Sequence, residues 1–212
     1  MNIGIDVDGV LIKLDEYQLT HGRDYFVRKF NKPVVDDTKY HIKEIFQCSS
    51  RQSSFFWVRN FKSYCLNSPA AKDAAETIKK LRADGHKIFI ITSRACTKRK
   101  YPAGFIFRKT LLKWLRNRGI EFDKIFFCST KKSDSDKFRV CKSLNVDVMI
   151  EDKKENIEKI SKIAKVICLD AKYNQDCQGQ NIYRAYNFND VYNIISEENS
   201  NFNTSIPTGI NF

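Results

Sequence analysis

The sequence predicts an α/β protein with a doubly wound parallel sheet and a small, mostly helical cap inserted after the first strand. Short apolar runs of strand length recur along the chain, and stretches with helical periodicity separate them. Strands that form continuous hydrophobic runs are typical of a parallel sheet covered on both faces. Residues 13–68 interrupt this alternation, because they are rich in aromatic and charged residues and lack a buried-strand pattern.

The predicted elements follow in chain order. The first strand contains Ile3, Gly4 and Ile5. Four further strands are predicted over 87–92, 124–128, 146–150 and 166–169. Helices are predicted at about 70–83, 105–118, 135–144, 153–164 and 188–197. In the helix at 105–118, an apolar stripe suited to a core is formed by Phe107, Leu111, Trp114 and Leu115.

These elements divide the chain into a core, an insertion and a tail. We expect the α/β core to comprise residues 1–12 and 69–196, with residues 13–68 as a helical insertion that covers the ligand site. Residues 197–212 are rich in Asn and Ser and contain Pro207 and Gly209, so we expect a loose tail there.

The composition is that of a soluble protein with one sizeable core. The chain has 212 residues, of which 42% are hydrophobic and 29% charged, and no apolar run is long enough to span a membrane. A strand this close to the N-terminus leaves no room for a signal peptide. The seven cysteines form no C-x-x-C pair, so neither a zinc site nor a disulfide framework is indicated. We therefore expect a cytoplasmic protein.

The charge balance favours anionic partners. Lys and Arg number 37 and Asp and Glu 25, a net charge of +12, which suits nucleotides, sugar phosphates or nucleic acid. Residues 94–118 include nine Lys or Arg and no acidic residue. This run is either a solvated helix face or a surface that attracts anions.

Two carboxylates close the first strand. Asp6 and Asp8 stand at positions i and i+2 and therefore leave a straight strand on the same face, and Gly9 allows the chain to turn away. The pair is either a strand followed by an Asp-Gly turn or a site for an ion and a phosphoryl group.

Residues at the ends of other strands favour the second interpretation. Thr92, Ser93 and Arg94 follow the second strand, and Glu151 and Asp152 follow the fourth. Lys137 lies at the start of the helix before that fourth strand. Because ligands of doubly wound sheets bind outside the carboxyl ends of the strands, these residues should converge with Asp6 and Asp8.

With these motifs in this order, residues 1–170 resemble the haloacid dehalogenase superfamily of phosphotransferases. The phrases Phe55-Phe56-Trp57 and Ile91-Thr92-Ser93-Arg94 resemble its 5′(3′)-deoxyribonucleotidase branch, also called cytosolic type C nucleotidases. The resemblance implies a Rossmann-like core and Mg²⁺-dependent hydrolysis of a small phosphate ester through an aspartyl phosphate, most simply a nucleoside monophosphate.

The resemblance also implies roles for individual residues. Asp6 would be the nucleophile, and Asp8 would protonate the leaving group and then activate water. Asp6, the carbonyl of Asp8 and Asp152 would hold Mg²⁺. Thr92 and Lys137 would bind the other phosphoryl oxygens.

Two assignments leave alternatives open. The branch usually has two aspartates where this chain has Glu151 and Asp152, so Glu151 binds either a metal-bound water or the ion itself. Lys137 fits the family best by its spacing, but Lys131, Lys132 and Lys142 are rivals.

Specificity for the substrate has to come from residues other than the carboxylates. Phe55, Phe56 and Trp57 either stack on a nucleobase or form the core of the insertion. Ser93 and Arg94 are candidates for binding phosphate or a substrate hydroxyl. The alternatives are a sugar- or polyol-phosphate phosphatase and, in a different class, a basic nucleic-acid-binding protein with a vestigial site.

Overall fold

The computed structural model describes residues 1–204, with side chains through residue 197. Six strands form one sheet in the order β3-β2-β1-β4-β5-β6, and every neighbouring pair is parallel. The strands are β1 Asn2–Ile5, β2 Lys87–Thr92, β3 Lys124–Phe127, β4 Val148–Glu151, β5 Lys165–Leu169 and β6 Ile182–Ala185. The predicted doubly wound α/β sheet is confirmed.

Alternate strand residues pack into hydrophobic clusters on the two faces of the sheet. Ile88 and Ile90 of β2 belong to one cluster, and Phe89 and Ile91 belong to the other. Because both faces are buried, neither face of the strand needs polar residues, which explains the continuous apolar runs in the sequence.

Helices cover the sheet and fill the long connection after β1. They are α1 Leu14–Gly22, α2 Arg28–Phe30, α3 Ile42–Ile45, α4 Ser50–Asn67, α5 Ala74–Ala83, α6 Ala103–Asn117, α7 Ser133–Ser143, α8 Lys154–Ile160 and α9 Phe188–Thr204. A π-helical segment, Arg23–Val27, joins α1 to α2, and a 3₁₀ turn, Lys172–Asn174, follows β5. Within residues 1–204, none of these helices is long and apolar enough to cross a bilayer.

The helices α1 to α4, which we call the helical insertion, have a small hydrophobic cluster of their own. Its buried members are Phe26, Ile42, Ile45, Phe46, Cys48 and Phe56. The longest helix, α4, begins with a capping box in which Ser49 accepts a hydrogen bond from the Gln52 backbone and the Gln52 side chain accepts one from Ser49.

Four elements differ from the sequence prediction: β6, α9, α5, which begins at Ala74 rather than at 70, and α8, which ends at Ile160 rather than at 164. The sixth strand, β6, was not predicted, because it is a short edge strand in which Tyr183 is exposed and only Ala185 is fully buried. Helix α9 continues to Thr204, past the predicted end at 197. The rest of the predicted tail, residues 205–212, lies outside the described residues.

Candidate active site

The site lies at the carboxyl ends of β1 and β4, where the strand order reverses. Asp6 follows β1 directly, and its backbone N–H donates to the carbonyl of Ile150 at 3.1 Å. This bond holds Asp6 beside Glu151 and Asp152 at the end of β4. One carboxylate oxygen from each of these three residues lies within 4.8 Å of the others.

A tight turn after β1 brings the chain against Asp152. The N–H of Gly9 donates to the carbonyl of Ile12, and the N–H of Ile12 donates to that of Val7. Gly9 has φ +97°, and a Cβ atom there would lie 1.9 Å from Asp152 Oδ2. Glycine is therefore required at this position both by conformation and by the close approach of the carboxylate.

Lys137 is buried among the carboxylates. Its Nζ atom lies 2.9 Å from Asp6 Oδ1 and 2.8 Å from Glu151 Oε2, and its side chain is 1% exposed. The rival lysines Lys131, Lys132 and Lys142 are all exposed. The structure thus brings Lys137, and none of its rivals, into direct contact with Asp6.

Burial changes the proton affinity of this cluster. It raises the pKa of Asp6 to about 7, because Glu151 and Asp8 add to the effect of burial and Lys137 only partly offsets it. The pKa of Asp152 is also raised, by burial and by Glu151 and Asp6. Burial alone would lower the pKa of Lys137, but Asp6 and Glu151 raise it above its ordinary value, so Lys137 stays charged.

Two oxygens of the cluster have no hydrogen-bond partner among the described residues. They are Asp6 Oδ1, whose contact with Lys137 Nζ at 2.9 Å is an ion pair without hydrogen-bond geometry, and Asp152 Oδ1; both are buried. The oxygens of Glu151, in contrast, are occupied: Oε1 accepts from Asn156 at 2.8 Å and from the backbone of Lys153, and Oε2 accepts from Lys137. A cation between Asp6 and Asp152 would supply the missing partner for Asp152 Oδ1 and would share Asp6 Oδ1 with Lys137.

The Asp8 carboxylate accepts hydrogen bonds from residues that do not contact Asp6. Arg94 donates to both of its oxygens from Nε at 3.1 Å, and the Tyr64 hydroxyl donates to Oδ1 at 2.6 Å. Burial acts to raise the pKa of Asp8, but Arg94 and Tyr64 outweigh it, and the pKa is lowered. The Arg94 guanidinium is buried and lies over the Tyr64 ring, and its Nη1 has no partner among the described residues.

The hydroxyl groups after β2 lie beside the cluster. Thr92 is fully buried, and its Oγ1 accepts a hydrogen bond from the Arg94 N–H at 3.2 Å. Ser93 Oγ lies 2.8 Å from Ser133 Oγ, which in turn donates to Asn156. Because Asn156 also binds Glu151, a hydrogen-bonded path connects Ser93 to the carboxylates.

The three aromatic residues at the start of α4 have different surroundings. Phe55 is 51% exposed, whereas Phe56 is fully buried in the cluster of the insertion. Trp57 is partly buried and contacts the rings of Tyr17 and Tyr64, and Tyr64 is the residue whose hydroxyl binds Asp8.

Several residues of the site were not predicted from the sequence. Tyr64 binds Asp8, Tyr173 binds Asp152, and Asn156 binds Glu151. For Asn156 a signal was present, since it lies in the first turn of the helix that follows the acidic pair. Tyr64 and Tyr173 carry no sequence signal, because their positions depend on how α4 and the 3₁₀ turn fold onto the site.

This fold, with acidic residues, a hydroxyl and a buried lysine at the ends of its strands, defines a phosphatase of the haloacid dehalogenase superfamily. The chain belongs to the family described as 5′ nucleotidase, deoxy (pyrimidine), cytosolic type C protein, whose sequence profile matches residues 1–200. It is therefore a phosphoric monoester hydrolase.

Known proteins with similar sequence or fold agree with this class. A nucleotidase of Clostridium acetobutylicum is 29% identical over 198 residues, covering 92% of this chain and 93% of the relative. A predicted phosphatase from the same organism has a similar crystal structure, with a TM-score of 0.62 and 16% identity over 92% of this chain and 98% of the other. D,D-heptose 1,7-bisphosphate phosphatase from B. bronchiseptica, complexed with magnesium and phosphate, has a TM-score of 0.53 and 10% identity over 93% and 98% of the two chains. At these identities the two structures show a shared fold.

Proposed function

We propose that this hydrolase is a Mg²⁺-dependent 5′-nucleotidase that acts on (deoxy)nucleoside monophosphates through an aspartyl phosphate on Asp6. The family and the nucleotidase of C. acetobutylicum support the substrate class. All seven cysteines are free, which suits the reducing cytoplasm in which we expect the enzyme to act.

The observation that carries the metal proposal is an unbalanced charge in a buried site. Asp6, Glu151 and Asp152 contribute three negative charges when ionised and Lys137 contributes one positive charge, which leaves two negative charges uncompensated. A divalent cation balances this difference, and Mg²⁺ prefers oxygen ligands. Asp152 offers it an oxygen without a partner, Asp6 offers an oxygen that is paired with Lys137, and the backbone carbonyl of Asp8 is the third candidate ligand.

Glu151 is better suited to a supporting role than to direct binding. Both of its oxygens already accept hydrogen bonds from Asn156, Lys153 and Lys137. Its charge holds Lys137 in place, and its link to the ion would run through a bound water. When bound, Mg²⁺ would neutralise charge on the phosphoryl oxygens and position the phosphate for in-line attack.

Asp6 would attack phosphorus from its carboxylate oxygen. The Asp6 O–P bond forms as the bond from phosphorus to the ester oxygen breaks, and water later cleaves the resulting acyl phosphate to release inorganic phosphate. Lys137, 2.9 Å away, favours the ionised form of Asp6 against the effect of burial. It also offers positive charge to the transferring group, whose oxygens become more negative in the transition state.

Asp8 would act as acid and then as base. It gives its proton to the leaving ester oxygen and later takes one from the attacking water. The contacts with Arg94 and Tyr64 favour its ionised form, which is the form needed for the second step. A phosphate dianion arriving beside Asp8 raises its pKa by like-charge repulsion, which favours the protonated form needed for the first step.

Hydroxyl and guanidinium groups would hold the phosphate and its ester. Because Thr92 Oγ1 accepts from the backbone of Arg94, its own proton remains available for a phosphoryl oxygen. Ser93 lies beside the same strand end, but because Ser133 donates its own proton to Asn156, Ser93 donates to Ser133 and would bind a phosphoryl oxygen only by giving up that hydrogen bond. Arg94 mainly orients Asp8, and its unpaired Nη1 leaves one donor for a phosphate or a substrate hydroxyl.

The helical insertion would act as the lid that selects the substrate. Trp57 is the residue of the Phe55-Phe56-Trp57 segment that we assign to a nucleobase, because Phe56 is enclosed in the insertion core and Phe55 faces outward. A sugar or polyol phosphate is the alternative substrate, since the carboxylates recognise only the phosphoryl group.

Replacing the nucleophile tests the proposal. We expect Asp6→Asn to lower kcat for p-nitrophenyl phosphate by about 1,000-fold or more, because an amide cannot form the acyl phosphate. Asp24→Asn, which changes an exposed aspartate of the insertion, serves as the matched control and should retain wild-type kcat. Turnover retained by a folded Asp6→Asn protein would exclude Asp6 as the nucleophile.

A phosphate-release screen with Mg²⁺, and with EDTA as the metal-free control, tests the substrate class. We expect the highest kcat/KM for deoxynucleoside 5′-monophosphates and no release in EDTA. Preference for sugar or polyol phosphates would favour the alternative. Salt-sensitive binding of DNA or RNA without phosphate release from any compound would instead favour the nucleic-acid-binding class.

A further inference from the structure

The 3₁₀ turn after β5 holds Asp152 at two points. The Asn174 side chain donates to the backbone carbonyl of Asp152 at 2.8 Å, and the Tyr173 hydroxyl donates to Asp152 Oδ2. Asn174 is itself fully buried and fixed by bonds to the carbonyl of Leu169 and from the N–H of Ala171. The turn that carries Tyr173 is therefore anchored to the residue that Tyr173 orients.

This contact determines which Asp152 oxygen remains free. Oδ2 is bound by Tyr173 and faces Gly9, where no Cβ atom would fit. Oδ1 is buried without a partner, in the cluster with Asp6 and Glu151. Rotation of the carboxyl group would break the bond to Tyr173, so this bond favours the orientation that presents Oδ1 to a cation.

The helical insertion contacts this turn through an aromatic ring and an ion pair. Tyr40 packs edge-to-face on Tyr173, with ring centroids 5.0 Å apart and planes at 86°. The ammonium group of Lys153, the residue next to Asp152, lies 5.2 Å from the centroid of the Tyr40 ring. An ion pair between Asp37 and Lys172 lies alongside. Tyr40 also packs against the hydrophobic cluster of the sheet that contains Ile88 and Ile90, rather than against the cluster of the insertion.

We propose that Tyr173 is a positioning residue for the metal site and that Tyr40 makes metal affinity depend on the position of the helical insertion. The inference rests on the proposed function, because it takes Asp152 as a ligand of the divalent cation. When the insertion is docked, Tyr40 holds the Tyr173 ring, Tyr173 holds Asp152 Oδ2, and Oδ1 is oriented for the ion. When it moves away, Tyr173 loses its support and Asp152 can rotate.

Mn²⁺ binding to the full chain without substrate tests this inference, with the free ion followed by electron paramagnetic resonance. Tyr173→Phe keeps the ring and removes only the hydroxyl, and we expect it to weaken Mn²⁺ binding by about 10-fold or more. Tyr40→Ala should weaken binding by roughly 3- to 10-fold, within the range of such outer contacts. Tyr40→Phe should retain the Mn²⁺ affinity of the wild type, because the contact between the rings of Tyr40 and Tyr173 does not use the Tyr40 hydroxyl.

The controls separate positioning from stability. Tyr186→Phe changes an exposed tyrosine that follows β6 and should leave Mn²⁺ affinity unchanged. Thermal unfolding of each variant checks folding, and Tyr40→Leu replaces Tyr40→Ala if the latter does not fold. In the double variant Tyr40→Ala/Tyr173→Phe, the losses should be less than additive in free energy, since Tyr40 acts through Tyr173.

Each outcome bears on a different part of the proposal. Mn²⁺ affinity of Tyr173→Phe within twofold of the wild type would overturn the positioning role. Additive losses in the double variant would overturn the link through Tyr40. If the wild type binds no Mn²⁺, the proposed metal site fails, and this inference fails with it.

Discussion

Asp6 and Asp8 stand two residues apart, yet their pKa values move in opposite directions. Burial among Glu151 and Asp8 raises the pKa of Asp6, whereas Arg94 and Tyr64 lower that of Asp8 despite burial. Groups whose environments separate their proton affinities in this way are suited to different roles in one reaction. Most of this division comes from outside the Asp-x-Asp motif: from burial and Glu151 on β4 for Asp6, and from Arg94 after β2 and Tyr64 on α4 for Asp8.

The raised pKa of Asp6 predicts how the metal-free protein responds to pH. Between the ordinary value of 3.8 and about 7, the unfolded chain has released the Asp6 proton and the folded protein retains it. The folded state then binds more protons, so its stability falls as the pH rises. We expect the Tm of the protein in EDTA to fall from about pH 4 to about pH 7, and Mg²⁺ to reduce this fall.

The matched comparison for this prediction is Asp6→Asn. Removal of the carboxylate should flatten the decline in EDTA, because the variant has no proton to lose at this position. Equal declines for the wild type and the variant would assign the effect to Asp152 or to another group.

At Gly9, both the backbone conformation and the close approach of Asp152 require glycine. Gly9→Ala adds both the strain of a positive φ and a clash with Asp152. Gly85→Ala is the control, because Gly85 has φ +83° but no atom lies within 4 Å of its added Cβ. We expect Gly85→Ala to lose about 1 kcal/mol of unfolding free energy from strain alone.

Gly9→Ala should lose roughly 1–3 kcal/mol more and should weaken Mg²⁺ binding, because Asp152 has to move. Denaturant unfolding and metal titration measure the two effects. Equal loss of stability in the two variants would contradict the close approach at Gly9.

At the scale of single elements, α4 connects the insertion core to the site. Successive helix residues lie about 100° apart around the axis, so Phe55, Phe56 and Trp57 cannot share one face. Phe56 packs into the insertion, and about two turns further along the helix Tyr64 reaches Asp8. The sequence offered two interpretations of these aromatic residues, and the helix assigns different surroundings to each.

Trp57 and Phe55 provide a matched pair on this helix. We expect Trp57→Ala to raise KM for deoxynucleoside monophosphates by about 5- to 100-fold, with a smaller effect on p-nitrophenyl phosphate, since loss of base stacking amounts to roughly 1–3 kcal/mol. Phe55→Ala removes an exposed ring and should leave both KM values unchanged. Equal effects of Trp57→Ala on the two substrates would indicate that Trp57 only packs against Tyr17 and Tyr64.

The elements that could be predicted from the sequence are those whose pattern is fixed by burial. β1, β2 and β4 are enclosed on both faces and read as apolar runs, and the strand-end rule then located Asp6, Thr92 and Asp152. β6 has only one strand neighbour and lacks such a run. The contacts of Tyr64 and Tyr173 join segments far apart in the chain, and no local pattern encodes them.

For the whole molecule, the position of the positive charge matters more than its total. The net charge is +12, and, besides Lys98, which pairs with Asp136, four exposed basic residues follow the carboxyl ends of β2 and β3, on the side of the sheet that holds the site. They are Arg99, Lys100, Lys131 and Lys132. Four other exposed lysines lie at the opposite edge, where strands begin or helices end: Lys87, Lys124, Lys142 and Lys162.

The position of the first four residues beside the site predicts electrostatic steering of the substrate into it. The four residues that follow β2 and β3, which we call the mouth residues, attract a phosphate dianion over about a Debye length, roughly 10 Å at 0.1 M salt. The lysines at the opposite edge of the sheet are screened from the site. Replacing the four mouth residues by Gln should lower kcat/KM at low salt by about 3- to 10-fold, leave kcat nearly unchanged and reduce the dependence on salt. Replacing the four distant lysines by Gln removes the same total charge and should have little effect. If both variants lose kcat/KM equally, net charge rather than its placement governs substrate capture.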